Sequence, residues 1–183
     1  ERKVGCILET REKEGKAEKI LKKVFSGWSS ITNYEDSRGG RIWLVWRDMI
    51  RMTPVYKSDQ IITCFVEMQG EEGFYYSCIY ASNQEEERRA LWEDLAHHNS
   101  SSSFKDKAWL IMGDFNEILD GGESSRFDNM RKVSNGMSEF QRLVLHCQLT
   151  DMAYQGPKYT WCNKREDGII CKKLDRVLLN EEA

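Results

Sequence analysis

The sequence lacks any hydrophobic run long enough to cross a membrane, and its first residues do not form a signal peptide. A membrane-spanning helix needs roughly 18 or more consecutive apolar residues. A secretory signal needs a basic start followed by a short apolar stretch and a cleavage site. These two absences predict an intracellular protein of the nucleus or cytoplasm that is neither secreted nor inserted in a membrane.

The sequence also lacks the cysteine patterns of metal sites. None of its six cysteines forms a C-x-x-C pair, and none has a histidine at the spacing of a zinc ligand. Most of them lie in apolar or aromatic runs, where a reduced cysteine acts as a small hydrophobic residue. We therefore expect separate, reduced thiols and no disulfide framework at Cys6, Cys64, Cys78, Cys147, Cys162 and Cys171.

Neither charge nor repetition dominates the chain. The formal net charge is −3, so the charge of the whole chain does not indicate nucleic-acid binding. There is no internal repeat and there are only two prolines. With 40% hydrophobic and 31% charged residues, the composition is that of an ordinary globular protein. A length of 183 residues predicts a single domain over 1–183.

Hydrophobic periodicity predicts blocks of strands separated by amphipathic helices. Apolar residues at helical spacing predict helices over 13–25, 83–98 and 136–149. Runs of β-branched and aromatic residues predict strands over 4–8, 28–34, 41–46, 52–57, 60–68, 74–81, 108–113, 158–163 and 172–179. Because the helices return between blocks of strands, we predict an α+β fold in which two mainly antiparallel sheets pack face to face with helices outside.

The most informative local motif is Gly113-Asp114-Phe115-Asn116, at the end of an apolar run. In an extended chain Asp114 and Asn116 point to the same side, while Phe115 turns into the core. A carboxylate beside a carboxamide can hold a hard cation and orient a phosphate or an attacking water. The structural alternative is a polar turn in which the two side chains bond their own backbone.

The order of several strand-end motifs is more specific than any one of them. They are Leu8-Glu9-Thr10, Ile79-Tyr80-Ala81-Ser82-Asn83, Gly113-Asp114-Phe115-Asn116, Tyr159-Thr160-Trp161 and Leu174-Asp175-Arg176-Val177. In this order the chain resembles the endonuclease/exonuclease/phosphatase superfamily. Within it, the chain is similar to the endonuclease domain of plant LINE-type non-LTR retrotransposons. The resemblance covers nearly the whole chain.

This resemblance implies a four-layered α/β sandwich that hydrolyses phosphate esters with a divalent cation, usually Mg²⁺ and alternatively Mn²⁺. The implied substrate is DNA, and no obligate protein partner can be inferred. By matching motif, Glu9 is expected to be a metal ligand.

The same resemblance assigns the remaining site residues. Tyr80 is expected to donate a hydrogen bond to the scissile phosphate, and Asn83 is expected to contact substrate. Asp114 is expected to align or activate the nucleophilic water, and Asn116 to polarise the phosphate. Asp175 is expected to orient the histidine of the family.

Three of these residues also have a purely structural interpretation. Glu9 is then a surface residue near the start of a helix, and Tyr80 a strand-end side chain half-buried against the core. Asp175 is then an ion-pair partner of Arg176 or Lys173.

Two parts of the family pattern are not found in this sequence. They are an asparagine on a strand preceding Glu9 and a Ser-Asp-His triplet on a strand following Leu179. None of the three histidines replaces that triplet. We therefore expect an incomplete domain with weak hydrolysis, since losing one member of a catalytic unit commonly costs orders of magnitude in rate. The alternatives left open are a non-catalytic remnant or repurposed binding domain of the same fold, and a phosphoinositide or sphingolipid phosphatase.

Overall fold

A computed structural model describes residues 3–37, 39–126, 133–163 and 168–183. Over these ranges the chain forms three helices, one 3₁₀ turn and eleven strands. The helices and the turn are α1 Glu14–Val24, α2 Glu85–Ser100, the 3₁₀ turn Gly121–Glu123 and α3 Asn135–His146. The strands are β1 Val4–Leu8, β2 Trp28–Thr32, β3 Ile42–Arg47, β4 Ile50–Lys57, β5 Ile61–Met68, β6 Phe74–Tyr80, β7 Trp109–Asp114, β8 Thr150–Asp151, β9 Trp161–Cys162, β10 Cys171–Lys172 and β11 Asp175–Leu179.

The strands form two main sheets and one small hairpin. The large sheet has the order β4-β5-β6-β7-β11-β8, and the small sheet has the order β1-β3-β2. All neighbouring strands are antiparallel except β6 and β7. These two are parallel because α2 carries the chain back across the sheet between them. The predicted α+β class with two mainly antiparallel sheets is confirmed.

Side-chain alternation along the central strands produces two separate apolar layers. In β6, Tyr76 and Cys78 face the small sheet, whereas Tyr75 and Ile79 face the helices. In the layer between the sheets, Tyr76 and Cys78 pack against apolar residues of β3, β4 and β5. The other layer packs α2 and α3 on the outer face of the large sheet through Leu91, Trp92, Leu95, Phe140 and Leu143. The large sheet is therefore packed between the small sheet on one face and the helices α2 and α3 on the other.

Two disulfide bonds correct the expectation of six separate thiols. Cys6 of β1 is bonded to Cys78 of β6, and this bond joins the two sheets. Cys162 and Cys171 are bonded across the β9–β10 hairpin. Cys64 and Cys147 are free and buried. The spacing of cysteines along the chain gave no sign of these pairs, because sheet stacking and strand register bring the sulfurs together.

In the part of the chain that the structure describes, no helix combines the length and the apolar character that a bilayer crossing requires.

Candidate functional site

The candidate site lies at one end of the sandwich, where strands of both sheets finish. Tyr80 lies opposite Asp114 in the parallel β6–β7 ladder, and Asp114 lies opposite Asp175 in the antiparallel β7–β11 ladder. These three residues therefore form one row across the large sheet. Tyr80 and Asp114 have the same alternation as Cys78 and Met112, so they lie on the face that meets the small sheet.

An open cleft of about 640 Å³ brings most of the predicted residues together. Five of the six residues line it: Glu9, Tyr80, Asn83, Asp114 and Asn116. Their side chains come from the ends of β1, β6 and β7 and from the loops that follow. The Glu9 and Asp114 carboxylates thus share one cleft, as a common cation site requires.

Asp175 is the predicted residue that does not line this cleft. Its side chain lines a neighbouring groove of about 370 Å³, which β1, β7 and β11 surround. The structural interpretation of Asp175 as an ion-pair partner is wrong for the described residues. Arg176 instead pairs with Glu123 at 2.7 Å and Asp151 at 2.8 Å, and Lys173 pairs with Asp151 at 2.6 Å. Asp175 is thus the exposed end of the row described above, next to Asp114.

The backbone around Asp114 explains why this motif has its particular residues. Gly113 has a φ of 145°, and a Cβ there would lie 2.0 Å from the Ile79 carbonyl oxygen of β6. Glycine therefore allows β7 to pass close to β6 just before the site. Asn116 has a φ of 48°, a left-handed conformation that asparagine adopts more readily than most residues.

Hydrogen bonds fix the carboxylate and the carboxamide relative to each other. The Asn116 backbone N–H donates to Asp114 Oδ1 at 2.8 Å, and Asn116 Nδ2 donates to the Ala81 carbonyl oxygen at 2.7 Å. Part of the structural alternative is thus present, since Asp114 does bond a nearby backbone amide. Phe115 is fully buried in the layer beneath α2 and α3, as the alternation predicted.

Burial and negative neighbours make the cleft unfavourable for an isolated carboxylate. Burial raises the pKa of Asp114 to about 6, and the negative charges of Asp175 and Glu9 act in the same direction. The hydrogen bond from Asn116 opposes this rise. Burial and the charge of Glu9 also raise the pKa of Tyr80, so its hydroxyl stays protonated at neutral pH.

The donor set fits a cation that keeps part of its water shell. In the described ranges no group of three or more acidic, histidine or cysteine side chains forms a ready-made cation cage. Mg²⁺ needs no such cage, because proteins often bind it through one or two carboxylates together with substrate phosphates. The Glu9 and Asp114 carboxylates are hard oxygen donors of this kind, and a cation between them would offset their repulsion.

Basic and aromatic side chains of the cleft were not predicted from the sequence. Arg11, Arg41, Trp161 and Lys172 all line it. The Arg11 guanidinium forms an ion pair with Glu9, and both side chains are more than half exposed. An exposed ion pair contributes little free energy, so a cation can displace Arg11 from Glu9. Trp161 lies within one of the recognised motifs, but that motif gave it no role.

No histidine reaches the cleft, although all three histidines lie in described parts of the chain. His98 is buried, and its Nε2 lies 3.1 Å from Thr63 Oγ1 beneath the large sheet. His97 and His146 are in the last turns of α2 and α3.

Comparison with known proteins places this arrangement in a family. The family described as Endonuclease/Exonuclease/phosphatase family matches residues 4–183. No curated protein sequence matches the chain.

Three solved structures share the fold at low sequence identity. The endonuclease domain of TRAS1, a telomere-specific non-LTR retrotransposon, has a TM-score of 0.70 and 12% identity, over 99% of this chain and 86% of that one. D. rerio TDP2, complexed with single-strand DNA product, has a TM-score of 0.60 and 14% identity, over 99% and 72%. ANGEL2, a 2',3'-cyclic phosphatase, has a TM-score of 0.58 and 11% identity, over 98% and 70%.

Proposed function

The chain belongs to the endonuclease/exonuclease/phosphatase family, and from this membership we propose that it hydrolyses phosphodiester bonds of DNA with a divalent cation, as a nicking endonuclease of the retroelement type. The observation that carries the proposal is the convergence of Glu9, Tyr80, Asp114 and Asn116 on one open cleft. Two structural neighbours support DNA as the substrate, since one is a retrotransposon endonuclease domain and the other was crystallised with single-strand DNA product.

In this proposal Glu9 and Asp114 would hold Mg²⁺ or Mn²⁺ at the acidic side of the cleft. When bound, the cation neutralises charge that develops on the phosphate oxygens. Arg11 must then leave the Glu9 carboxylate, and it becomes free to contact a substrate phosphate.

The side chains of this protein position the water and the phosphate. Asp114 orients the attacking water and accepts its proton. Tyr80 remains protonated and donates its hydroxyl hydrogen to a non-bridging oxygen. Asn116 polarises the phosphate from the same side, and Asn83 contacts the substrate at the edge of the cleft. Asp175, next to Asp114 in the ladder, keeps the proton-accepting ability of Asp114 high through its charge.

A second candidate function is nucleic-acid binding without efficient turnover. The observation that favours it is the set of basic and aromatic side chains that line the cleft, Arg11, Arg41, Trp161 and Lys172, since these can bind phosphates and bases without a hydrolytic step. The two functions share the substrate and the cleft, and they differ in the rate of hydrolysis.

We expect the 183-residue chain to nick supercoiled plasmid slowly with Mg²⁺ or Mn²⁺, because the cation and Asp114 act without an imidazole. Adding flanking strands that carry the family's asparagine and Ser-Asp-His triplet is expected to raise the rate by orders of magnitude. The measurement is conversion of supercoiled to open-circular plasmid over time.

The Asp114→Ala variant of each protein controls for a contaminating nuclease, which would be unaffected by that change. Fast nicking by the 183-residue chain, abolished by Asp114→Ala, would contradict the expectation of an impaired site. Nicking by the extended protein that Asp114→Ala abolishes but that needs no divalent cation would contradict the proposed function itself, as would the absence of any nicking beyond that of its Asp114→Ala control.

A further inference from the structure

The β9–β10 hairpin places an aromatic and a basic residue side by side at the cleft. Trp161 lies directly opposite Lys172 in the antiparallel register, and both residues line the cleft with Glu9 and Asp114. Trp161 is 45% exposed, which is unusual for so large an apolar side chain unless it has a partner. An exposed aromatic ring beside an ammonium group is suited to an unstacked nucleic-acid base and the adjacent phosphate.

The two strands of this hairpin are attached to the protein very differently. Strand β10 is hydrogen-bonded to the segment that follows the 3₁₀ turn. The Cys171 N–H donates to Ser125 Oγ and the Ser125 N–H donates to the Cys171 carbonyl oxygen, both at 2.9 Å. The Lys173 N–H also donates to the Glu123 carbonyl oxygen at 3.0 Å. In the described residues β9 has β10 as its neighbouring strand and no other. Before Trp161, Thr160 Oγ1 accepts from the Leu174 and Asp175 backbone N–H groups at 3.0 and 3.1 Å, which anchors the start of β9. From Trp161 onwards, the position of β9 depends on how firmly it is held to β10.

The Cys162–Cys171 disulfide is the covalent link that holds them. These residues form the register pair next to Trp161–Lys172, and their Cα atoms are 4.0 Å apart. The ladder has two residue pairs, and it is extended by hydrogen bonds from the Thr160 N–H to the Lys172 carbonyl oxygen and from the Asn163 N–H to the Ile170 carbonyl oxygen. So short a ladder gains much of its stability from a covalent cross-link. Cys162 is exposed, so a thiol reagent in solution can reach the bond.

We propose that the Cys162–Cys171 disulfide controls the affinity of the cleft for unpaired DNA by fixing Trp161 opposite Lys172. This inference rests on the proposed function, in which DNA is the substrate. A dithiol reductant supplies two hydrogens and two electrons, so that the S–S bond breaks into two thiols and the reductant becomes its own disulfide. In the reduced hairpin Lys172 stays on β10, but Trp161 is held beside it by the hydrogen bonds of Thr160 and Asn163 without the covalent link, so the stacking contact weakens.

The test measures binding of a fluorescent 12-nucleotide oligothymidylate by anisotropy, with Mg²⁺ and in an Asp114→Asn background that prevents turnover. Replacing both hairpin cysteines, Cys162→Ser with Cys171→Ser, is expected to weaken binding roughly tenfold, as is Trp161→Ala, because one base–aromatic stack is worth about 1–3 kcal/mol. Trp161→Phe is expected to retain most of the affinity. Dithiothreitol is expected to weaken binding by the background protein and to leave the double-serine variant unchanged.

Ile169→Ala is the matched control, because Ile169 is an exposed apolar residue of the same hairpin that does not line the cleft. Equal affinities of the double-serine variant and the background protein would overturn this inference. Weakening by dithiothreitol in the double-serine variant as well would also overturn it, because the effect would then come from another bond. If the background protein binds no oligonucleotide, both this inference and the proposed function fail, whereas binding that ignores Trp161→Ala refutes the inference alone.

Discussion

At the scale of single residues, Asp114 carries a charge in a position that disfavours charge. It is partly buried between two other carboxylates and receives only one backbone hydrogen bond in compensation. Its pKa of about 6 in the folded protein compares with about 3.9 in an unfolded chain. The folded state therefore binds this proton more tightly, and the resulting stabilisation at low pH is lost as the pH rises through 6.

We predict that Asp114→Asn stabilises the protein above pH 7 while it abolishes hydrolysis. The uncharged amide keeps an oxygen for the Asn116 N–H and removes a buried charge that costs roughly 2–3 kcal/mol at neutral pH. Urea unfolding of both proteins at pH 4 and pH 8 measures the effect. The gain is expected at pH 8 and absent at pH 4.

Added Mg²⁺ provides the matching control. It is expected to raise the free energy of unfolding of the natural sequence at pH 8 and to have less effect on Asp114→Asn, since a ligand stabilises only the state that binds it. Equal stabilisation of the two proteins by Mg²⁺ would show that Asp114 is not a cation ligand.

At the scale of elements, α2 is joined to the large sheet by a buried chain of hydrogen bonds. Trp109 Nε1 donates to Ser77 Oγ at 2.9 Å, and the Ser77 and Thr63 hydroxyl oxygens lie 2.8 Å apart. His98 of α2 continues the chain, with Nε2 3.1 Å from Thr63 Oγ1 and Nδ1 2.6 Å from the Asp94 carbonyl oxygen. A neutral imidazole satisfies every partner, since Nδ1–H donates and Nε2 accepts.

We predict that the stabilisation contributed by His98 is lost as the pH falls below about 6.5, because His98 must then be charged in the unfolded chain but not in the folded one. Burial lowers the pKa of His98, so the imidazole is neutral in the folded protein. Its contribution to the free energy of unfolding is therefore fully present above pH 6.5. Protonation would turn Nε2 into a donor facing Thr63. His98→Gln cannot titrate, and the difference in unfolding free energy between the two proteins is expected to shrink from pH 7 to pH 5. A difference independent of pH would contradict this role of His98.

Secondary structure was largely predictable where periodicity was long and uninterrupted. The helix predicted over 13–25 is α1 Glu14–Val24, and the strand predicted over 4–8 is β1. The strand predicted over 172–179 is instead split into β10 and β11 at Lys173 and Leu174. Their backbone N–H groups donate to the Glu123 carbonyl oxygen and to Thr160 Oγ1, and a local apolar pattern contains no information on such distant partners.

The candidate site was predictable where a residue ended a strand within a recognisable motif, as Glu9 and Asp114 do. Arg41 and Lys172 were not predictable, because loops and a hairpin bring them to the cleft from positions without a motif. The disulfide bonds were not predicted from the sequence for a related reason. Cys6 and Cys78 are 72 residues apart, and only the stacking of one sheet on the other makes them neighbours.

At the scale of the whole molecule, the Cys6–Cys78 bond ties the small sheet to the large one. The bond lies three residues before Glu9 in β1 and two residues before Tyr80 in β6. It therefore connects the two halves of the cleft close to the site itself.

We predict that replacing this pair, Cys6→Ala with Cys78→Ala, lowers the free energy of unfolding by roughly 4 kcal/mol, because a bond that spans 72 residues strongly restricts the unfolded chain. The Cys162–Cys171 bond closes a loop of only 9 residues. Replacing it, Cys162→Ser with Cys171→Ser, is therefore expected to lower the free energy of unfolding by less. Chemical unfolding under non-reducing conditions compares the two. Equal losses would indicate that Cys6 and Cys78 are not bonded in solution.

The row that joins β6, β7 and β11 at the cleft also determines when the cleft can exist during synthesis. Glu9 leaves the ribosome before Asp114, which is 105 residues further along the chain, and Asp175 follows another 61 residues later. At translation speeds of about 5–20 residues per second, the interval between Glu9 and Asp175 lasts roughly ten to thirty seconds. During that time β2 and β3 can pair as a nascent hairpin to which β1 adds, but the large sheet is still incomplete. In a nascent chain, most of the residues that line the cleft are therefore synthesised before the strands that form the cleft can pair.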